Sequence, residues 1–162
     1  MPHKNTQTKL KTLIIGIGNP LCCDDIAGIK IANMLYERVK DIANVSLYEA
    51  VGRKFDLLVT IIDYEKVIII DSIQTQKGKI GQVYQIEYQD LPSNTNSYFH
   101  TMGIFDQIKI GKKLNLPLPD KINIYGIEVC DPFTFGEHLT EGLEKAIVEA
   151  VETIAKTEFR RK

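Results

Sequence analysis

Three carboxylates and one imidazole stand out by type and position. Asp24 and Asp25 lie in "LIIGIGNPLCCDDIAG" (Leu13–Gly28), Asp71 ends the run "VIIID", and His100 sits in "SYFHTMGI". Two carboxylates and an imidazole form a mixed oxygen/nitrogen set suited to a borderline divalent ion such as nickel, zinc or iron. Singly, each has an ordinary role: an acid can cap a helix, an Asp can hold a turn, a His can begin a helix. Their meaning depends on whether Asp25, Asp71 and His100 converge. Asp24 competes with Asp25, since one can cap while the other enters a cleft, and spacing leaves the choice open. His138, in "FGEHLTEG", is an outside candidate, and His3 lies in a polar tail.

Two other chemistries fit the first stretch less well. "GIGNPL" contains G-x-G, but no third glycine follows at the dinucleotide spacing and no G-K-[ST] is present. Two carboxylates near a helix start would repel a pyrophosphate; Glu49, near the end of the second strand, keeps a dinucleotide reading alive. Cys22 and Cys23 are adjacent, a spacing that cannot comfortably chelate one zinc ion. Nearby acids raise a thiol pKa, the wrong direction for a nucleophile.

The elements that must position these residues follow from periodicity. Thr12–Ile17 is a short apolar strand stopped by Gly-Asn-Pro. A helix over about Ile26–Lys40, capped by Asp24 or Asp25, places Ala27, Ile31, Met34, Leu35 and Val39 on one face. Val45–Ala50 is a strand, and Phe55, Leu58, Val59 and Ile62 share a face of a short helix. Val67–Asp71 reads as a central parallel strand covered on both sides. The link Ser72–Ile80 is shorter than the dozen or so residues a parallel crossover needs, so the strand near Gln82–Tyr88 is expected antiparallel. A helix from about His100 to before Leu116, a strand Lys121–Val129, and a last helix capped by Thr140 complete the chain. The expected fold is a single α/β domain over residues 1–162 with a flexible tail at 1–10. It is a three-layer sandwich whose mixed, mostly parallel sheet has about five strands, one of them antiparallel, with helices on both faces. Ligands of such folds bind at the carboxyl ends of the strands, where Asn19, Asp25 and Asp71 fall.

Bulk properties exclude other classes. The chain has 162 residues, 44% hydrophobic and 25% charged, with net charge −1. That balance offers no general attraction to nucleic acid or anionic membranes. No apolar run approaches membrane-spanning length, and the polar start has no signal-peptide core. Three cysteines, two of them adjacent, make no disulfide framework, so a cytoplasmic location is expected.

"GIGNPLCCDDIAG" resembles the signature of the hydrogenase maturation proteases, G-x-G-N-x-L-x-x-D-[DE]-x-x-G after the first strand. "VIIIDSI" is similar to that family's apolar strand ending in Asp, and "SYFHTMGI" to its S-x-x-H region. The resemblance implies an endopeptidase that clips a C-terminal peptide from the large-subunit precursor of a [NiFe] hydrogenase after nickel insertion. It implies Asp25, Asp71 and His100 as metal contacts, with Asp25 and Asp71 the best catalytic candidates. Gly18 and Asn19 build the turn, and Gly52 faces the substrate where members carry a D-G-G-T turn and this chain reads "YEAVGRKFD". The nickel would be supplied by the substrate, with no organic cofactor. The chain has no G-x-S-x-G, H-E-x-x-H or D-[ST]-G, so it lacks the usual peptidase equipment. Two other readings use the same features: a non-cleaving, nickel-sensing chaperone, and a nucleotide-binding α/β domain.

Overall fold

β1 (Thr12–Gly18) is buried along its whole length, because Leu13, Ile15 and Ile17 face one side of the sheet and Ile14 the other. Period-two alternation puts successive side chains on opposite faces, and both faces are covered. In the computed structural model, which describes residues 10–52, 56–75, 77–87 and 102–160, β1 is followed by a 3-10 turn (Cys23–Ile26) and α1 (Ala27–Val39). Then come β2 (Val45–Val51), α2 (Leu57–Ile61), β3 (Lys66–Ile73), β4 (Val83–Ile86), α3 (Met102–Lys113), β5 (Lys121–Glu128) and α4 (Leu143–Phe159). The candidate ligand His100, and nearly all of the expected tail, lie outside the described residues.

The sheet order is β2-β1-β3-β5-β4. All neighbours are parallel except β4, which runs antiparallel to β5, as the short link before it requires. α1 and α4 pack on one face through Ile31, Leu35, Leu143, Ile147 and Ile154. α2 and α3 cover the other through Leu57, Ile61 and Ile104. The chain is therefore the three-layer α/β sandwich with a mostly parallel, five-stranded sheet. Each fully buried Ile or Leu contributes about 1.5–3 kcal/mol, so the two cores on either side of β1 and β3 hold the fold together.

Several local expectations are corrected. Neither Asp24 nor Asp25 caps α1: the preceding residue is Ile26, in helical conformation and without a side-chain cap, because the 3-10 turn runs straight into the helix. Thr140 does not cap α4; Gly142, at φ 83°, occupies that position, and the Thr140 hydroxyl donates elsewhere. On α2 the buried residues are Leu57 and Ile61, whereas Val59 is 73% exposed. A single helical turn is too short for its phase to be read from spacing, and Phe55 lies outside the described residues. Met34 is exposed at the edge of the otherwise buried α1 stripe.

α1 lies unusually close to the sheet. A Cβ on Gly28 would stand 2.4 Å from the Ile17 carbonyl oxygen and 2.6 Å from that of Ile70. Gly16 meets the same helix, 2.7 Å from both Ala32 Cβ and Ile29 Cα. At the other end of the sheet, Lys66 Nζ pairs with Glu158 Oε2 at 2.6 Å, and Glu158 also accepts from Asn123 and Tyr125. Burial and the Glu158 carboxylate push the Tyr125 phenol far above its ordinary pKa.

Gly28→Ala is expected to lose at least about 2 kcal/mol of stability, because overpacking against fixed carbonyls outweighs the better helix propensity. Gly103→Ala, whose Cβ would meet nothing within 4 Å, should gain up to about 1 kcal/mol. Urea unfolding of both variants checks the contrast.

Candidate active site at the carboxyl end of the sheet

The order of strands reverses between β1 and β3: β2 lies beyond β1, whereas β5 and β4 lie beyond β3. Such a switch point opens a crevice outside the carboxyl ends of the two strands. The last β1–β3 partners are Gly16 and Ile70, so β3 passes Asp71 and Ser72 after the ladder to β1 has ended.

The turn after β1 is built by close backbone approach. A Cβ on Gly18 would stand 2.1 Å from the Asp25 carbonyl oxygen, so no other residue fits there without a shift. Asn19 fixes the next bend: its Oδ1 accepts from the Leu21 amide at 3.0 Å and its Nδ2 reaches Cys22 Sγ at 3.3 Å. Gly52, at φ 78°, donates its amide to the Gly18 carbonyl at 3.1 Å and has open space where a side chain would be.

Asp25 is 2% exposed, and its Oδ1 accepts from the Ser72 hydroxyl at 2.7 Å. Ser72 follows Asp71 directly, so this bond fastens the turn after β1 to β3 beside Asp71. Asp71 is fully buried. It follows the alternation of Val67 and Ile69 onto the α2/α3 face, whereas Ser72 lies on the α1 face with Ile68 and Ile70. Asp71 thus lies on the α2/α3 face, and Ser72, which holds Asp25, on the α1 face, both at the carboxyl end of the sheet. α3 begins at Met102, two residues after His100 in the sequence. Among the described residues no group of three His, Cys, Asp or Glu side chains is clustered to hold a metal ion.

Asp24 has a role that spacing alone did not reveal. It is fully buried with no ion pair to a cation among the described residues, and its carboxylate accepts four bonds from one distant segment. The amides of Cys130 (3.1 Å) and Asp131 (2.9 Å) donate to Oδ2, as does the Thr140 hydroxyl (2.7 Å); the Thr140 amide donates to Oδ1 (2.8 Å). Asp24 therefore ties the loop between β5 and α4 to the turn that carries Asp25. The sequence held one signal, a second acid beside the first, but its partners lie more than a hundred residues away.

The amides at the turn are already committed. Those of Cys22, Cys23, Asp24 and Asp25 donate to the carbonyls of Asn19, Gly136, Asp131 and Cys22. These four amides are therefore not available to a phosphate, which argues against the dinucleotide reading.

The thiols form no nucleophilic centre. Cys23 is buried, with Sγ 3.7 Å from His138 Nε2, and burial pushes its thiol pKa up, helped by Asp131 and Asp24. His138 thus neighbours Cys23 and not the Asp25–Ser72 contact. Asp131 holds an Asx turn, accepting from the Phe133 and Thr134 amides at 3.1 and 2.9 Å. Hydrogen bonds from Thr134, then Phe133, keep its carboxyl below the ordinary range.

A family model described as hydrogenase maturation protease matches residues 29–157, a span that starts just after the turn bearing Asp25. Among solved structures, the chain is similar to the hydrogenase maturating endopeptidase HybD of E. coli, at 21% identity and TM-score 0.71, with 91% of each chain covered. It is similar to the [NiFe] hydrogenase maturation protease HybD of Thermococcus kodakarensis, at 29% identity and TM-score 0.70, over 91% of this chain and 99% of that one. It is also similar to the maturation protease HycI of that organism, at 19% identity and TM-score 0.65, with 93% of each covered. Comparison with curated protein sequences returns no match.

Asp24→Ala is expected to cost about 3–5 kcal/mol, because it strands several buried donors at about 1–3 kcal/mol each. Amide hydrogen exchange at Asp131 and Thr140 should accelerate well beyond the global average. At neutral pH an alkylating reagent should label exposed Cys130 first and Cys23 only on unfolding. Because the Asp131 carboxyl is depressed in the fold, its stabilisation of the loop is present above about pH 4 and lost as pH falls through the lowered value. Exchange at Phe133 and Thr134 measured down to strongly acid pH follows that loss.

Proposed function

The chain belongs to the hydrogenase maturation protease family, and from that premise we propose that this endopeptidase removes a C-terminal peptide from the nickel-loaded large-subunit precursor of a [NiFe] hydrogenase. The observation that supports the proposal is the hydrogen bond from Ser72 to Asp25, which ties the turn after β1 to the residue that follows the buried Asp71 at the switch point of the sheet. Two carboxylates carried on neighbouring segments offer oxygen donors of the kind a divalent ion takes.

In this reading nickel arrives as part of the substrate, held by the precursor's own ligands. Asp25 and Asp71 offer it hard oxygen donors, and His100, assigned by resemblance, supplies the nitrogen. An ion engaged there can polarise the scissile carbonyl or lower the pKa of a water. The chain's own part is to hold the two carboxylates in place, with one of them able to accept the water's proton. Gly18, Asn19 and Gly52 shape the approach: the first two fix the turn, and Gly52 leaves the space beside it open. Requiring the ion makes cleavage report that nickel insertion is complete.

The test is intact mass of a nickel-loaded precursor before and after mixing with the protein, with nickel-free precursor as control. Loss of a C-terminal peptide from the loaded form alone is expected. Asp71→Asn and His100→Ala should remain folded and reduce processing by at least about a hundredfold, the scale of removing one catalytic electrostatic partner. Normal cleavage by either variant removes that residue from the site. Co-elution with the loaded precursor without any mass change would instead establish a nickel-sensing chaperone.

A further inference from the structure

Two large apolar side chains are exposed on the backbone that leads into the turn bearing Asp25 and on the loop bonded to it. Leu21 is 56% exposed and Phe135 80%. Their exposure is built into fixed backbone. Phe135 forms a β-bridge with Cys22, the Gly136 amide donates to the Leu21 carbonyl at 3.0 Å, and the Cys23 amide donates to Gly136 at 2.8 Å. Asp131 locks the bend before Phe133, and Asp24 fastens the base of the same loop. An isolated surface Leu needs no explanation, but a ring left four-fifths exposed on a loop fastened this firmly, with a second apolar side chain on the segment bonded to it, marks an interaction site.

From this geometry we propose that Leu21 and Phe135 form a docking rim for the large-subunit precursor, gripping an apolar patch of that polypeptide beside the bond to be cut. The inference rests on the proteolytic reading above and adds where the substrate is held. Continuity with the site selects the occupant. Cys22, to which Phe135 is bridged, is three residues before Asp25, so at most about 11 Å of chain separates their Cα atoms. A polypeptide large enough to place a metal centre against Asp25 meets the loop in passing. Aromatic anchors beside such a site typically dominate binding energy.

The experiment measures processing of nickel-loaded precursor by Phe135→Ser and by the double variant Leu21→Ser/Phe135→Ser. Both substitutions lie on exposed side chains, so the fold is expected to stand, and thermal unfolding verifies it. KM should rise at least about tenfold, with kcat within about twofold, the loss of one good anchor. A photoreactive benzoylphenylalanine at position 135 should crosslink to the precursor, including in the Asp71→Asn background, where slowed cleavage is expected to prolong the complex. Unchanged KM and no crosslink, with wild-type cleavage intact, overturn the rim and leave the proteolytic reading standing. Loss of self-association in Phe135→Ser without a KM change assigns the patch to a second copy of this chain and also overturns it. A wild-type protein that neither cuts nor binds loaded precursor sinks both proposals together.

Discussion

A buried carboxylate with no neighbouring cation among the contacts described holds this site together. Asp24 is fully desolvated, a state that costs several kcal/mol unless the lone pairs are filled. Donors from Cys130, Asp131 and Thr140 fill them. Charge-assisted bonds are roughly twice as strong as neutral ones, so the loop before α4 is fixed as firmly as a strand. Asp25, one residue later, is then free to turn the other way and accept from Ser72. The pair divides by direction: Asp24 binds the loop before α4, and Asp25 binds β3 through Ser72.

Close packing of α1 on the sheet is the second constraint. Gly16, Gly18 and Gly28 each face backbone or Cβ atoms where a side chain would stand. A G-x-G after a first strand usually suggests a phosphate cradle, yet here the glycines bring helix and strand together and the turn's amides are satisfied internally. The same residue types serve a different end because the second and third positions of the turn are acids.

Much of the fold was legible in the sequence because its signals are strong and local. Alternation in Leu13–Ile17 and the unbroken apolar run of Val67–Ile70 identify buried parallel strands. The short link after Asp71 dictates the reversed direction of β4. The stripe Leu143, Ile147, Val151 and Ile154 of α4 is buried as its spacing requires. The misreadings have one cause, which is that long-range partners overrule local preference. Asp24 and Thr140 look like caps for the helices they precede, but each finds the other and caps neither. Spacing placed Asp25 and Asp71 near one crevice, yet it could not distinguish Asp25 from Asp24. The resemblance picks Asp25, and in the structure Asp24 is committed to the loop before α4 while Asp25 accepts from Ser72.

The bond that organises the turn also sets a timetable. Asp24 and Thr140 are separated by 116 residues, and Asp24 and Cys130 by 106. Loop closure over such a distance is slow, and parallel pairings add to the delay. On a ribosome, the turn carrying Asp25 is made among the first residues but keeps its charge in water until nearly the whole chain has emerged. The carboxylate site is therefore among the last features of the molecule to take shape, and a truncated or nascent chain would present no organised site.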